Sequence, residues 1–366
     1  MKILSVFGTR PEAIKMAPVI AELKQHQGKL TSLVCVTAQH REMLDQVLAL
    51  FAIQPDYDLG IMQPNQSLAQ ITARALTKLD EVFQAEKPDW ILVQGDTTTV
   101  MTAALAAFYH RIKVGHVEAG LRSFDKFQPF PEEINRKIAT SLSDLHFAPT
   151  EISRQNLLRE GVADAQIVVT GNTVIDALLQ VAAKPYDWAN SPLAAIPRDK
   201  RIILVTAHRR ENFGTPFTNI CAALRTIAER YLDVHIVYPV HLNPNVRAVA
   251  QSLLGNIPNL TLLEPLEYLP LVQLMKQAYL VITDSGGIQE EAPGLGKPVL
   301  VLREVTERPE GVAAGTVKLV GTDKEKIIHE TSLLLDDQSA YEKMSQAVNP
   351  YGDGQASARI VSRLMT

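Results

Sequence analysis

Residues 90–99 read WILVQGDTTT. The first five form a short apolar run without alternation, as expected of a strand buried on both faces. Gly95 and Asp96 break that run, and three threonines open a helical stretch. Asp96 stands where it would cap such a helix. A buried strand leading at once into a helix is half of a strand–helix–strand unit.

The same grammar extends in both directions. KILSVF (2–7), TSLVCVT (31–37), KVGHV (113–117) and LHFAP (145–149) are short apolar runs rich in β-branched residues. Between them lie helical patterns. Gln66–Glu86 repeats apolar residues at Leu68, Ile71, Ala75, Leu76, Leu79, Val82 and Phe83, one helical face. The stretch KPYDWANSPLAAIPRDK (184–200) carries three prolines and no period, and reads as a linker. The alternation then restarts with RIILVTA (201–207), VHIVYPV (234–240), LTLLEP (260–265), YLVITD (279–284) and KPVLVL (297–302). Strands alternating with helices predict parallel sheets covered on both faces. The expectation is an α/β protein of two Rossmann-like, doubly wound domains facing a cleft, spanning 1–170 and 171–354. The last stretch places Ala356, Ile360, Val361 and Leu364 at helical spacing, so a helix over 355–366 is expected to pack back on the first domain.

Composition narrows the function. At 366 residues the chain exceeds what one core usually serves, and 46% hydrophobic with 21% charged residues is ordinary for a globular protein. A net charge of −4 without a basic patch argues against nucleic acid, and no apolar run approaches membrane-spanning length. Cys35 and Cys221 lie far apart in apolar segments and read as core thiols of a reducing, cytoplasmic compartment. The histidines and cysteines show neither H-E-x-x-H nor C-x-x-C, so no metal is expected, and neither a P-loop nor a dinucleotide fingerprint is present.

In doubly wound sheets ligands bind beyond the carboxyl ends of the strands. At those ends stand Gly8-Thr9-Arg10-Pro11-Glu12, Gly95-Asp96-Thr97, His116-Val117-Glu118, His208-Arg209-Arg210-Glu211-Asn212 and Asp284-Ser285-Gly286-Gly287. Their accumulation in both halves favours a shared polar site. Ser285-Gly286-Gly287, opening a helix, suits a phosphate as well as it suits a plain turn. Arg10 and Lys15 could grip an anion or simply decorate a first helical turn. Arg308 alone reads as a surface arginine, and His208 alone as a core histidine. Spacing does not separate a capping Asp96 from a catalytic one.

Six long motifs resolve these choices. FGTRPEAIKMAPVI (7–20), VQGDTTT (93–99), HVEAGLRS (116–123), PFPEEINR (129–136), HRREN (208–212) and TDSGGIQEEAPGLGKPVLVLREVTERPEG (283–311) together resemble the non-hydrolysing UDP-N-acetylglucosamine 2-epimerase family, nearly end to end. The resemblance implies a fold of the glycosyltransferase-B type, no cofactor, and a homodimer. The implied reaction interconverts UDP-N-acetylglucosamine and UDP-N-acetylmannosamine for cell-envelope polysaccharides. It places Asp96, Glu118, Glu132 and His208 in the catalytic cluster. It places Arg10, Lys15, Ser285, Gly286, Gly287, Glu291 and Arg308 on the nucleotide, with Glu291 toward the ribose and Arg308 toward the diphosphate. Leu266 and Leu271 stand where some members carry a glutamine and an aromatic residue. Gln39, His40 and Arg41 match positions where some members bind a second, activating substrate molecule.

Overall fold

A computed structural model describes residues 1–38, 41–63 and 65–366, with Arg41 and Glu42 described by backbone alone. The chain divides into two compact units, Met1–Ala177 with Gly352–Thr366, and Leu178–Tyr351.

The first unit holds β1 (Lys2–Phe7), β2 (Thr31–Val36), β3 (Tyr57–Asp58), β4 (Trp90–Gln94), β5 (Lys113–Val117), β6 (Leu145–Ala148) and β7 (Ile167–Val169). They form one parallel sheet in the order β3-β2-β1-β4-β5-β6-β7. The second unit holds β8 (Arg201–Thr206), β9 (Val234–Pro239), β10 (Leu260–Leu263), β11 (Ala278–Thr283), β12 (Val299–Val301) and β13 (Val317–Leu319). Their order is β10-β9-β8-β11-β12-β13, again parallel. Each sheet starts in its middle, winds outward to one side, then crosses to the other. The reversal falls between β1 and β4 in one unit and between β8 and β11 in the other, the point where such sheets open a crevice at their carboxyl edge.

The local causes are visible in the sequence. Ile91, Leu92 and Val93 of β4 are wholly buried, as a central strand covered on both faces requires. The helix Thr98–Tyr109 buries Ala103, Ala104, Ala106 and Ala107, whose small side chains let it lie close on the sheet. The helix Leu68–Glu86 turns Ile71, Ala75, Leu79, Val82 and Phe83 inward, while Leu68 at its first residue is exposed. It begins with a capping box in which Gln70 N donates to Ser67 Oγ and Ser67 N donates to Gln70 Oε1. Apolar runs do not predict the short outer strands β3, β7 and β13, because two or three residues carry too little pattern.

The helix Ala356–Leu364 buries Ala356, Ile360, Val361 and Leu364 and packs against the helix Arg10–Gln25. Asp176 accepts from Ala356 N at 3.2 Å and from Ser357 N at 2.8 Å. A carboxylate at a helix start satisfies free amides and opposes the positive end of the dipole.

The stretch read as a linker is more than a tether. Residues 184–200 form no helix or strand, yet Leu193 and Ile196 are buried in the core of the second unit, with Tyr186 and Trp188 packed against it. Its apolar residues are spaced by turns rather than by a helical or strand period, which hid their burial. Leu193→Ala should therefore lower the stability of the second unit by about 2–5 kcal/mol, the usual loss for a truncated core leucine. Val348→Ala, at a residue 83% exposed, should stay within about 0.5 kcal/mol in the same urea titration.

Candidate functional site

In the first unit the chain leaves β1 through Gly8 and Thr9 and enters the helix Arg10–Gln25. Glu12, one turn in, is 2% exposed. Its Oε2 accepts from Gly8 N at 2.9 Å and Thr9 N at 2.6 Å, and its Oε1 accepts from Thr97 Oγ1. This carboxylate thus joins the loop after β1 to the loop after β4. Burial pushes its pKa up, while the bonds from Thr97, Gly8 and Thr9 oppose that rise. Arg10 takes the first position of the helix. Lys15 lies further along and ion-pairs with Glu118, both mostly buried.

Glu118 follows β5 with φ of 64°, a left-handed conformation that costs a residue with a Cβ roughly 1–2 kcal/mol. Gln94 Nε2 and Lys15 Nζ both donate to its Oε2, and Ala119 N donates to Phe147 O at 3.1 Å just beyond it. Gly120 has φ of 89°, and a Cβ there would strike the Ser153 carbonyl. Strained backbone held this firmly is typical of positions that must present one side chain in one place.

Asp96 follows Gly95, whose φ of 83° makes the turn. Its Oδ2 accepts from Arg136 Nε at 3.0 Å and Nη2 at 2.6 Å, and its carbonyl accepts from Asn135 Nδ2 at 2.9 Å. Both partners lie on the helix Glu132–Leu142, one turn beyond Glu132. Arg136 Nη1 also donates to Glu133 at 3.2 Å. Glu133 is fully buried and accepts from Ser123 N at 3.1 Å and Phe124 N at 3.2 Å. The neighbouring Glu132 has an Oε2 that is buried and meets no donor among the described residues. Adjacent acids on one helical turn therefore divide the work, Glu133 bracing a loop and Glu132 keeping an unsatisfied oxygen.

In the second unit Asp284, after β11, is wholly buried. Its Oδ2 accepts from His208 N and Arg209 N at 2.8 Å each, and from Asn212 Nδ2 at 3.1 Å. The loops after β8 and β11 are joined by this one carboxylate. The His208 ring stacks on His241, with centroids 5.2 Å apart and planes 9° from parallel. Burial lowers the pKa of His208, and the Asp284 charge raises it in part. Ser285 stands at the N-cap position of the helix Gly286–Gly294 without a side-chain capping bond, and a Cβ on Gly286 would lie 3.8 Å from Arg209 Nη2. A cation and a helix start thus share one spot. Glu291 is buried on the same helix, accepting from Tyr268 Oη at 2.7 Å, with its other oxygen 3.9 Å from where a Gly287 Cβ would stand. Arg308 ion-pairs with Glu290, also on this helix. Ser285, Gly286, Gly287, Glu291 and Arg308 thus all belong to the helix Gly286–Gly294, to its N-cap or to a partner on it, and His208 is held by Asp284 just before that cap.

The family model for UDP-N-acetylglucosamine 2-epimerases matches residues 21–365. The chain belongs to the UDP-N-acetylglucosamine 2-epimerase family. It is 60% identical to the UDP-N-acetylglucosamine 2-epimerase of Escherichia coli K12, over 100% of this chain and 98% of that one. Among solved structures, the Neisseria meningitidis UDP-GlcNAc 2-epimerase bound to UDP-GlcNAc is 53% identical, covers 100% of both chains and gives a TM-score of 0.88. A kitacinnamycin glycosyltransferase, 13% identical over 100% of this chain and 99% of that one, gives a TM-score of 0.63 and shares the fold alone. The chain is thus an enzyme of an isomerase family, on a fold of the glycosyltransferase-B type.

Among the described residues no group of three or more histidine, cysteine or carboxylate side chains could hold a metal ion, and no helix is long and apolar enough to cross a membrane. Gln39, His40 and the side chain of Arg41 lie outside the described residues. Leu266 and Leu271 are partly buried and pack against the core of the second unit. The sequence alone does not mark Glu12, Gln94, Glu133, Arg136, Asp284 or Glu290 as supports of the candidate residues. Only Glu12 carried a local signal, the T-x-x-E spacing of a capping box. The rest act through partners distant in sequence.

His116, on β5, donates from Nε2 to the Gly95 carbonyl at 2.7 Å, next to Asp96. Burial brings its pKa down from the ordinary 6.5 to about 4, and its neighbour across the β5–β6 ladder, His146, falls likewise to about 4. Both rings are neutral in the fold and gain a proton near pH 6.5 once unfolded. The stability they contribute is full above about pH 6.5 and is lost as pH falls toward 4. Thermal unfolding followed between these limits should show that decline. His116→Gln, which keeps a donor for Gly95, should make the decline shallower.

Proposed function

We propose that the chain interconverts UDP-N-acetylglucosamine and UDP-N-acetylmannosamine by eliminating UDP and adding it back. The observation that carries this is the carboxylate set at the carboxyl edge of the first sheet: Glu118 held in a strained conformation, Asp96 clasped by Arg136, and Glu132 with an unsatisfied buried oxygen. The hydrogen at C2 of the sugar is not acidic, because no carbonyl is adjacent. The anomeric carbon beside it carries UDP, a good leaving group. As the C1–O bond breaks, its electron pair leaves with UDP and positive charge builds on the ring. The C2 proton then passes to a carboxylate, giving 2-acetamidoglucal. Return of UDP to C1, with a proton delivered to the opposite face of C2, inverts that centre. Carboxylates serve both the charge and the two proton transfers.

The second unit serves the leaving group in this proposal. The start of the helix Gly286–Gly294 with Ser285, Gly286 and Gly287 would receive the diphosphate, together with Arg308; the family resemblance also assigns Arg10 and Lys15 to the nucleotide. Glu291 would accept from the ribose hydroxyls. His208 would hydrogen-bond or protonate the departing phosphate. Support comes from the Neisseria meningitidis relative, whose crystal structure holds UDP-GlcNAc. A cytoplasmic homodimer supplying cell-envelope polysaccharide belongs to the same proposal and rests on the family resemblance alone.

The experiment is proton NMR of the purified protein with UDP-N-acetylglucosamine in heavy water. UDP-N-acetylmannosamine should appear with deuterium at C2. Protium retained there would overturn the mechanism, and steady release of UDP would identify a hydrolysing enzyme instead. Asp96→Asn, Glu118→Gln and Glu132→Gln should each slow turnover by roughly 10²-fold or more, the scale of general acid–base catalysis. A variant that still eliminates but re-adds poorly should accumulate 2-acetamidoglucal and UDP.

A further inference from the structure

The two oxygens of Asp284 have unlike surroundings. Oδ2 takes the three hydrogen bonds from His208 N, Arg209 N and Asn212 Nδ2. Oδ1 is buried and accepts no hydrogen bond among the described residues, yet it lies 3.6 Å from His208 Nδ1. An unsatisfied buried acceptor is costly, and a charged one more so. The three donors fix the carboxylate, whereas the imidazole is held on one face by His241 and its side chain is 41% exposed. A small turn of the ring within its own plane would bring Nδ1 into hydrogen-bond range.

We propose that Asp284 is the positioning carboxylate of His208. Its Oδ1 receives the proton carried on Nδ1, which leaves Nε2 as the nitrogen offered to the substrate. A neutral imidazole has one N–H and one lone pair, and a carboxylate oxygen can face only the N–H. The tautomer is thereby chosen before substrate arrives, and any positive charge gained at Nε2 is stabilised from behind. This inference rests on the role given to His208 above, but the tautomer itself does not depend on the reaction.

Asp284→Asn separates this role from a purely structural one. The amide carbonyl oxygen can keep the three donors of Oδ2, which forces the NH₂ into the place of Oδ1. That NH₂ donates to Nδ1, so the imidazole must carry its proton on Nε2. The measurement is long-range ¹H–¹⁵N correlation NMR on histidine-selectively labelled, ligand-free protein in mildly alkaline buffer, with His208 assigned by its loss in His208→Gln. Wild-type His208 should be protonated on Nδ1 and the Asp284→Asn protein on Nε2. The kcat of Asp284→Asn should fall by roughly 10²–10⁴-fold with little change in KM, the scale of general acid–base catalysis. Added to His208→Gln, the same substitution should cost nothing further. A wild-type ring protonated on Nε2, an unchanged tautomer in Asp284→Asn, or an equal loss of kcat in both backgrounds would each overturn the proposal. Should Asp284→Asn fail to fold, the wild-type tautomer alone decides. The NMR arm uses no substrate, so a protein that proves not to be an epimerase leaves that arm intact.

Discussion

A parallel strand covered on both faces leaves little room along its length for a polar side chain, and the few that stand there, such as His116 on β5, are spent on internal partners. In both units that constraint drives all chemistry to the ends of the strands, where the chain escapes the core. Ile91, Leu92 and Val93 are sealed, and Gly95 and Asp96 follow after the last strand residue, Gln94. Leu280, Val281 and Ile282 are sealed, and Asp284 to Gly287 follow. Because each sheet reverses its winding at its middle, the loops after β1 and β4, and after β8 and β11, emerge side by side. The candidate site is therefore a consequence of strand order as much as of residue choice.

Loops at such an edge need anchoring, and one device recurs. Glu12, Glu133 and Asp284 are buried carboxylates, and each accepts consecutive backbone amides of a loop that carries a candidate residue or adjoins one. A carboxylate offers several lone pairs and can satisfy neighbouring donors at once. Glu12 and Asp284 also tie the loops of separate strands together, Glu12 through Thr97 and Asp284 from its own place after β11. None of these carboxylates need touch a substrate to govern where the site residues stand.

Much of this was legible in the sequence. The long central strands, the helices between them and the strand-end candidates could be read from apolar runs and their punctuation. So could the inward face of the terminal helix, since Ile360, Val361 and Leu364 keep helical spacing. Edge strands as short as Tyr57–Asp58 could not, because two residues define no period. Nor could the burial of Leu193 and Ile196, which sit among prolines and turns. The supporting contacts were the least legible. Arg136 meets Asp96 across forty positions, and His208 meets Asp284 across seventy-six. The left-handed backbone at Glu118 gave no local warning either, since glutamate ordinarily avoids that region.

The first unit is discontinuous, with Gly352–Thr366 returning to it after the whole of Leu178–Tyr351. On the ribosome, then, it cannot be completed when its own sheet emerges. At typical elongation rates of about 5–20 residues per second, the missing helix arrives on the order of ten seconds or more later. Throughout that interval the buried face of the helix Arg10–Gln25 that receives it, and the amide-binding carboxylate of Asp176, wait without their partner. An apolar helix face left uncovered in that way is open to aggregation until the last helix is made.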